Sequence, residues 1–227
     1  MFNQLHKIEK ITYPLLLLML VIGSYFAMTD SEFFTGVLAK EDGPIEWLTV
    51  IGLLLSFSVC IYRVFTLRKQ KNAAFIAVWA FLALVCFFGA GEEISWGQRI
   101  LNIESSEWFK QNNAQQETNL HNLVVEGKKV NKIIFSALLG LSLLTYLLVF
   151  TFAYRRFDGF KRFCDYMGVP IAHYHQVIAW LTVAIVAEVL IKDVSRSSEL
   201  FESAAVFVFL LNISVPYNHT LFNKQAS

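Results

Sequence analysis

The run AAFIAVWAFLALVCFFGAG, from Ala73 to Gly91, carries no charged side chain and is followed at once by Glu92 and Glu93. A bilayer core takes about 20 consecutive apolar residues as one helix. The run therefore reads as a membrane span that delivers two carboxylates to the bilayer edge. Five further stretches read the same way: Ile11 to Met28, Ile45 to Tyr62, Ile133 to Ala153, Ala172 to Ile191, and Ser203 to about Thr220. In the last, Asn212, Pro216, Asn218 and His219 interrupt the apolar pattern, which predicts a kinked or wet inner half.

The whole chain agrees with this reading. Its 227 residues are 56% hydrophobic, 15% aromatic and only 16% charged, whereas soluble domains carry about 25% charged residues. The expected fold is all-α, a polytopic integral membrane helix bundle of about six transmembrane helices. No repeat, low-complexity tract or Pro-rich linker divides it, so residues 1–227 read as a single transmembrane domain with one long outer loop at about 92–132. The first span is long, and no small-x-small cleavage pattern follows it, so it is expected to be a retained anchor rather than a signal peptide.

Charge distributes unevenly about these spans. The segments before span one, between spans two and three, between spans four and five, and after span six hold 11 basic residues against three acidic ones, a net of +8. The other side holds eight basic residues against 15 acidic ones. Lys and Arg are retained in short cytoplasmic loops, which puts both termini inside and predicts a multi-pass protein of the cell membrane. The basic residues are short clusters beside span ends and offer no surface for nucleic acid. Cys60, Cys86 and Cys164 fall within spans or on the inner side, where disulfides are not expected.

Acidic residues then gather on the predicted outer side. Gly89-Ala90-Gly91-Glu92-Glu93-Ile94-Ser95-Trp96-Gly97-Gln98-Arg99 is the strongest local signal. If the third helix continues past the bilayer edge, Glu92, Trp96 and Arg99 share one face, while Glu93 points about 100° away. One acid can then pair with Arg99 while the other serves as a ligand or general base. The plainer alternative is a helix that ends in water with a surface ion pair of little energetic value. After Ser105-Ser106-Glu107-Trp108-Phe109, which reads as a capped helix start, comes the amide-rich stretch Asn112 to Asn122, with Glu117 and His121 four residues apart. On a helix or turn over Gln115 to Val125 that spacing suits joint metal ligation, or a carboxylate that orients an imidazole. It is not the HExxH zinc pattern. With one histidine on this side, a metal site would be carboxylate-rich and suit Mg, Mn, Ca or a mixed Zn centre. An exposed polar loop is the alternative.

Two more acids complete the set. Glu188 lies three residues inside the predicted outer end of span five, where it should find Lys192, Arg196 or Arg99 as a partner. Glu46 opens span two behind Gly43-Pro44, a turn that fixes its position. His173, His175 and His219 fall on the opposite side. His-x-His can bind metal, but among Tyr166, Tyr174 and Tyr217 these histidines read as interfacial side chains.

At Gly91 to Arg99, and at Asn113, Gln115, Glu117 and Asn119 to Asn122, the chain resembles a family of bacterial and archaeal polytopic membrane proteins with GEExSWGQR and NxQxExNLHN elements. Asp42 to Trp47 looks like part of the same pattern. The resemblance covers roughly the first half of the chain and implies a membrane fold without naming a reaction. CPBP intramembrane proteases and alkaline-ceramidase-like hydrolases are more distantly suggested. The spacing of Glu92-Glu93 to Arg99 and the histidines on both sides depart from the first group, the second uses a three-His zinc site usually on seven spans, and no catalytic residue carries over.

These residues suggest a membrane-embedded hydrolase or transferase acting on a lipid or lipid-linked substrate. Glu92, Glu93, Glu117 and His121 are its candidate catalytic groups. Trp96, Gln98, Arg99, Asn119, Asn122, Glu46 and Glu188 are candidate substrate-binding groups, and Glu93, Glu117 and His121 could hold a divalent metal. An ion-coupled carrier, or a subunit that docks a partner through Trp96, Trp108 and Phe109, are the competing readings. Substrate, metal and oligomeric state are not written in the sequence.

Overall fold

A computed structural model of the chain describes residues 5–120, 122–125, 128–129 and 139–223. Among the described residues four helices are long and apolar enough to cross a membrane: α1 (Lys7–Thr29), α2 (Pro44–Leu67), α3 (Ala73–Glu93) and, near the end of the chain, Ser197–Ser214. Between α3 and that last helix come α4 (Glu107–Asn112), α5 over residues 139–156, α6 (Asp158–Met167) and α7 (Tyr174–Leu190), and Ser197–Ser214 becomes α8. A minimal hairpin pairs Val124–Val125 with Lys128–Lys129.

Outward-facing Ile11, Leu15, Leu18 and Val21 on α1 are exposed, as are Phe81, Leu84 and Val85 on α3 and Ile178, Ile185 and Val189 on α7. A water-soluble surface does not carry apolar belts of this extent. The described structure is helical, and its apolar helices are compatible with a membrane protein.

The helix α8 is the pivot of the packing. It lies against α1, α2 and α7, and α3 packs along α2 while its Phe75, Trp79 and Ala83 share a core cluster with Ile213 of α8. Two glycines make this approach possible. A Cβ on Gly23 would lie 2.6 Å from Leu200, and one on Gly52 would lie 2.6 Å from Val206, both α8 side chains. Lipid gives helices no hydrophobic reason to associate, so close van der Waals approach at small residues has to supply the attraction.

Contacts at the two ends show that the helices alternate in direction. The starts of α1, α3 and α7 meet the ends of α2, α5 and α8. There Glu9 meets His175, Trp79 donates to the Gly168 carbonyl at 3.0 Å, and Arg155 donates to the Ala172 carbonyl at 2.9 Å. Arg63 sits between the Trp79 and Phe222 rings, 4.3 and 4.4 Å from their centroids, and donates to the Ser214 carbonyl at the end of α8. The guanidinium thus caps a helix C-terminus while its faces rest on aromatic rings. Asn218 ties the chain after α8 to the α6–α7 connection, accepting from Ile171 N and donating to the Val169 carbonyl.

Several expectations shift. The sixth span is a helix from Ser197 to Ser214, starting six residues early and stopping before Pro216. The fifth, Tyr174–Leu190, is a shorter apolar helix. The expected fourth span begins at residues 133–138, outside the described residues, and is helical over 139–156. The third helix does not continue through Trp96 to Arg99. It ends at Glu93, and Ser95, Trp96 and Gly97 follow with φ of 46°, 56° and 77°. Three successive left-handed residues reverse the chain, so Glu92, Trp96 and Arg99 do not share a helix face. Of the two readings for the segment from Gln115, helix or turn, residues Gln115 to Leu120 take the turn, with φ of 61° at Gln116.

Gly168 ends α6 with φ of +68°, and a Cβ there would lie 2.6 Å from the Phe75 ring. Gly168→Ala should therefore lower the stability of the purified protein by about 1–3 kcal/mol, read as a drop in thermal midpoint. An unchanged midpoint would show that the α3–α6 contact yields freely.

Candidate functional site

The left-handed turn at 95–97 folds the segment after α3 back over the end of the bundle, and Trp96 is its anchor. Its indole lies over Gly91, where a Cβ would come within 2.7 Å of the ring, and its Nε1 donates to Glu92 at 2.8 Å. The small residues of the Gly89-Ala90-Gly91 run thus admit a folded-back side chain. Glu92 is buried and also accepts from the Leu120 backbone N–H at 2.5 Å, joining the end of α3 to the amide-rich loop.

Arg99 stands at the centre of this region. Its Nε and Nη2 donate to the two oxygens of Asp42 at 2.9 and 3.0 Å, a bidentate pair. Nη2 also reaches Glu46 at 2.7 Å and the Glu93 carbonyl at 3.2 Å, while Nη1 reaches Glu117 at 2.6 Å and Ser95 at 3.3 Å. Glu41 lies 3.7 Å from Nη1. Burial pulls the guanidinium pKa down, but hydrogen bonds to Asp42 and Glu117 push it up further, so it is raised overall. Its charge is fixed at any pH at which the fold exists.

The remaining polar groups form a continuous mesh around that ion. Ser95 donates to Glu117, and Asn119 donates to Ser95 at 2.8 Å and to Glu117 at 3.3 Å. Asn113 holds Asn119 in turn, donating to its backbone and side-chain oxygens at 2.9 Å. Gln98 bridges Ser105 and the Thr118 N–H, and Asn122 donates to Gln115, which donates to Glu41.

A second constellation lies beside the mesh. Glu93 at the end of α3 meets Glu199 and Glu202 from the start of α8, each offering a carboxylate oxygen within 4.8 Å of the others. Glu199 and Glu202 are three apart on one helix and so share a face. None of the three forms an ion pair among the described residues. Three oxygens at this spacing suit a hard divalent cation.

The sequence-derived candidates are therefore distributed as follows. Glu46, Arg99 and Glu117 meet directly. Gln98, Asn119 and Asn122 join them through the mesh, and Glu92 and Trp96 pair with each other. Glu93 contributes its carbonyl to Arg99 and turns its carboxylate toward α8. Glu188 is exposed and forms no ion pair among the described residues, because Arg196, one expected partner, binds Glu41 at 2.9 Å and the Ala39 carbonyl. His121 lies outside the described residues.

Asp42, Glu199 and Glu202 were not singled out from sequence as site residues. Asp42 precedes the Gly-Pro that fixes Glu46, a usable signal. Glu199 and Glu202 lay outside a sixth span drawn from Ser203, although an acid such as Glu199 in a first helical turn is itself a helix-start signal.

Fold and site together describe a helical protein, compatible with a membrane setting, that carries a buried polar cluster at one end of its bundle. Comparison with protein-family models, curated proteins and solved structures gave no match.

Removing Arg99 should strand Glu46 and Glu117, which are 7% and 16% exposed. Arg99→Met is expected to cost about 2–3 kcal/mol and to speed amide hydrogen exchange selectively across residues 95–120. Arg99→Lys, which cannot make the bidentate pair, should lie between. Uniform exchange in all three proteins would mean that the network does not hold the loop.

Proposed function

We propose that this protein is a membrane-embedded hydrolase or transferase acting on a lipid or lipid-linked substrate, with a hard divalent cation held by Glu93, Glu199 and Glu202. One observation carries the reading: three carboxylates from two helices converge without forming an ion pair among the described residues. Like charges at this distance repel, and a bound cation would turn that repulsion into attraction. Such an ion supplies Lewis-acid polarisation of a phosphoryl or acyl oxygen and a more acidic bound water.

In this reading Glu93 is the ligand that links the cation to the mesh, since its carbonyl is held by Arg99. Arg99 has its donors committed to protein partners and acts as a positioning residue. Acid/base chemistry is assigned to His121, next in sequence to the Leu120 whose N–H Glu92 holds. Ile100, Leu101 and Ile103 are exposed nearby, a surface suited to lipid chains. The acids lie at helix ends rather than mid-bundle, where a carrier would place its ion.

Elemental analysis of the detergent-purified protein should find about one equivalent of Mg, Mn or Ca, strongly reduced in Glu93→Gln and Glu202→Gln. No such metal in the wild type, or equal content in all three, would refute the assignment.

We further propose six spans, with the Glu9 and Arg63 end facing the cytoplasm of the cell membrane. The alternating helix directions and the basic residues gathered at that end support this arrangement. A membrane-impermeant maleimide should label Lys110→Cys in intact cells, and Lys69→Cys only after permeabilisation. The reverse pattern would invert the topology.

A further inference from the structure

The connection between α5 and α7 lies outside every expected span, yet its helix runs along the edge of the bundle. The helix α6 begins at Asp158, with only Phe157 between it and the end of α5 at Arg156. Its far end is fastened to the start of α3. Asn72, whose side chain caps α3 by accepting from the Phe75 N–H, donates to the Tyr166 carbonyl at 3.0 Å, and Trp79 donates to the Gly168 carbonyl. Asn72 is also the last residue before the uncharged run from Ala73 to Gly91. Both ends of α6 therefore stand level with the ends of apolar helices. About 15 Å of helix lies along that boundary instead of projecting from it.

The faces of α6 differ. Cys164 is buried beside Tyr154 and Ile171, and Phe160 packs on the Phe150 ring at 5.1 Å. At about 100° per residue, Phe163 falls on one flank of Cys164, and Asp158, Lys161 and Asp165 on the other, with Arg162 and Tyr166 on the face directed away from the bundle. Phe157, Phe163 and Tyr166 are 55%, 52% and 59% exposed. Lys161 is paired with Asp165, which also accepts from the Tyr154 hydroxyl at 2.7 Å. Arg156 and Arg162 are exposed and form no ion pair among the described residues. Three open aromatic rings among two unmatched cations suit neither bulk water nor the bilayer core. They suit the layer of headgroups between, where rings and cations both find partners.

We propose that α6 is an interfacial helix that binds anionic phospholipid, with Phe157 and Phe163 seated among the acyl chains and Arg156 and Arg162 holding headgroup phosphates. Guanidinium groups match phosphate oxygens in pairs of parallel hydrogen bonds. Charge complementarity selects this occupant: the segments at this end carry 11 basic residues against three acidic ones, and a neutral or cationic partner gains nothing from that excess. At headgroup depth the Tyr166 ring meets lipid while its hydroxyl stays in water. Because α6 is tied to α3 through Asn72 and Trp79, and to α5 through Phe160 and Asp165, lipid held here fastens those two helices together. Lipid binding at α6 requires the membrane setting, but neither the cation at the far end nor a particular side of the membrane.

The test uses the full chain, whose three native cysteines are buried and leave an introduced one free for labelling. A nitrobenzoxadiazole label on Phe163→Cys, in nanodiscs of phosphatidylcholine with phosphatidylglycerol, should be quenched by doxyl-labelled lipid and protected from aqueous iodide. The same label on Lys161→Cys should show the reverse order. In detergent, a short-chain phosphatidylglycerol should bind the wild type about fivefold more tightly than Arg156→Gln or Arg162→Gln, while phosphatidylcholine should bind all three alike. A label at position 163 open to iodide would leave the face to a soluble partner, and one shielded from both quenchers would put a second copy of the chain on it. Equal phosphatidylglycerol affinity in all three proteins would remove the arginines from the site. Each of these results overturns the proposal.

Discussion

The polar end of this molecule depends on one guanidinium. Arg99 comes from a segment with little regular structure of its own, yet it reaches the start of α2 through Asp42 and Glu46, the end of α3 through the Glu93 carbonyl, and the amide loop through Glu117. Planar donors in fixed directions make this possible, because a guanidinium can serve several acceptors at once where an ammonium would act as a point charge. The carboxylates around it could not stay together without that cation. The carbonyl it holds belongs to the residue whose side chain turns to meet Glu199 and Glu202.

Backbone strain is concentrated at the same place. Ser95 and Trp96 adopt left-handed conformations that cost about 1–3 kcal/mol each. The surrounding contacts over-determine them: Trp96 is held by Glu92 and by the space above Gly91, and Ser95 by Glu117 and Asn119. The turn aims Arg99 back at α2 rather than outward along a continued helix. Strain kept in a polar cluster at a helix end is the pattern expected of a site, and it is absent from the apolar contacts of α8 with α1 and α2.

The two ends of the bundle differ in chemistry. One gathers carboxylates, amides and the committed guanidinium groups of Arg99 and Arg196. The other gathers imidazoles, aromatic rings and the cation–π contacts of Arg63 and Arg155. The helix α8 joins both, its first two turns carrying Glu199 and Glu202 and its last carbonyls accepting from Gln176 and Arg63. A shift of α8 along its axis would be felt at both ends, since Gly23 and Gly52 leave no slack beneath Leu200 and Val206.

The sequence by itself determined the helical, apolar character of the chain, the positions of α1, α2 and α3, and the gathering of acids on one side. Uninterrupted apolar runs, their lengths and the placement of Lys and Arg are local properties. It also marked Glu46, Glu92, Arg99, Glu117 and Asn119 as worth attention. Only the tertiary structure decided who meets whom. Arg99 takes Asp42 rather than a neighbouring glutamate because a left-handed turn, which periodicity assumes away, reverses its direction. Glu93 faces Glu199 and Glu202 because α8 starts earlier than its apolar run and packs close at two glycines. Pairing between residues more than a hundred positions apart depends on helix packing, and no local pattern encodes it.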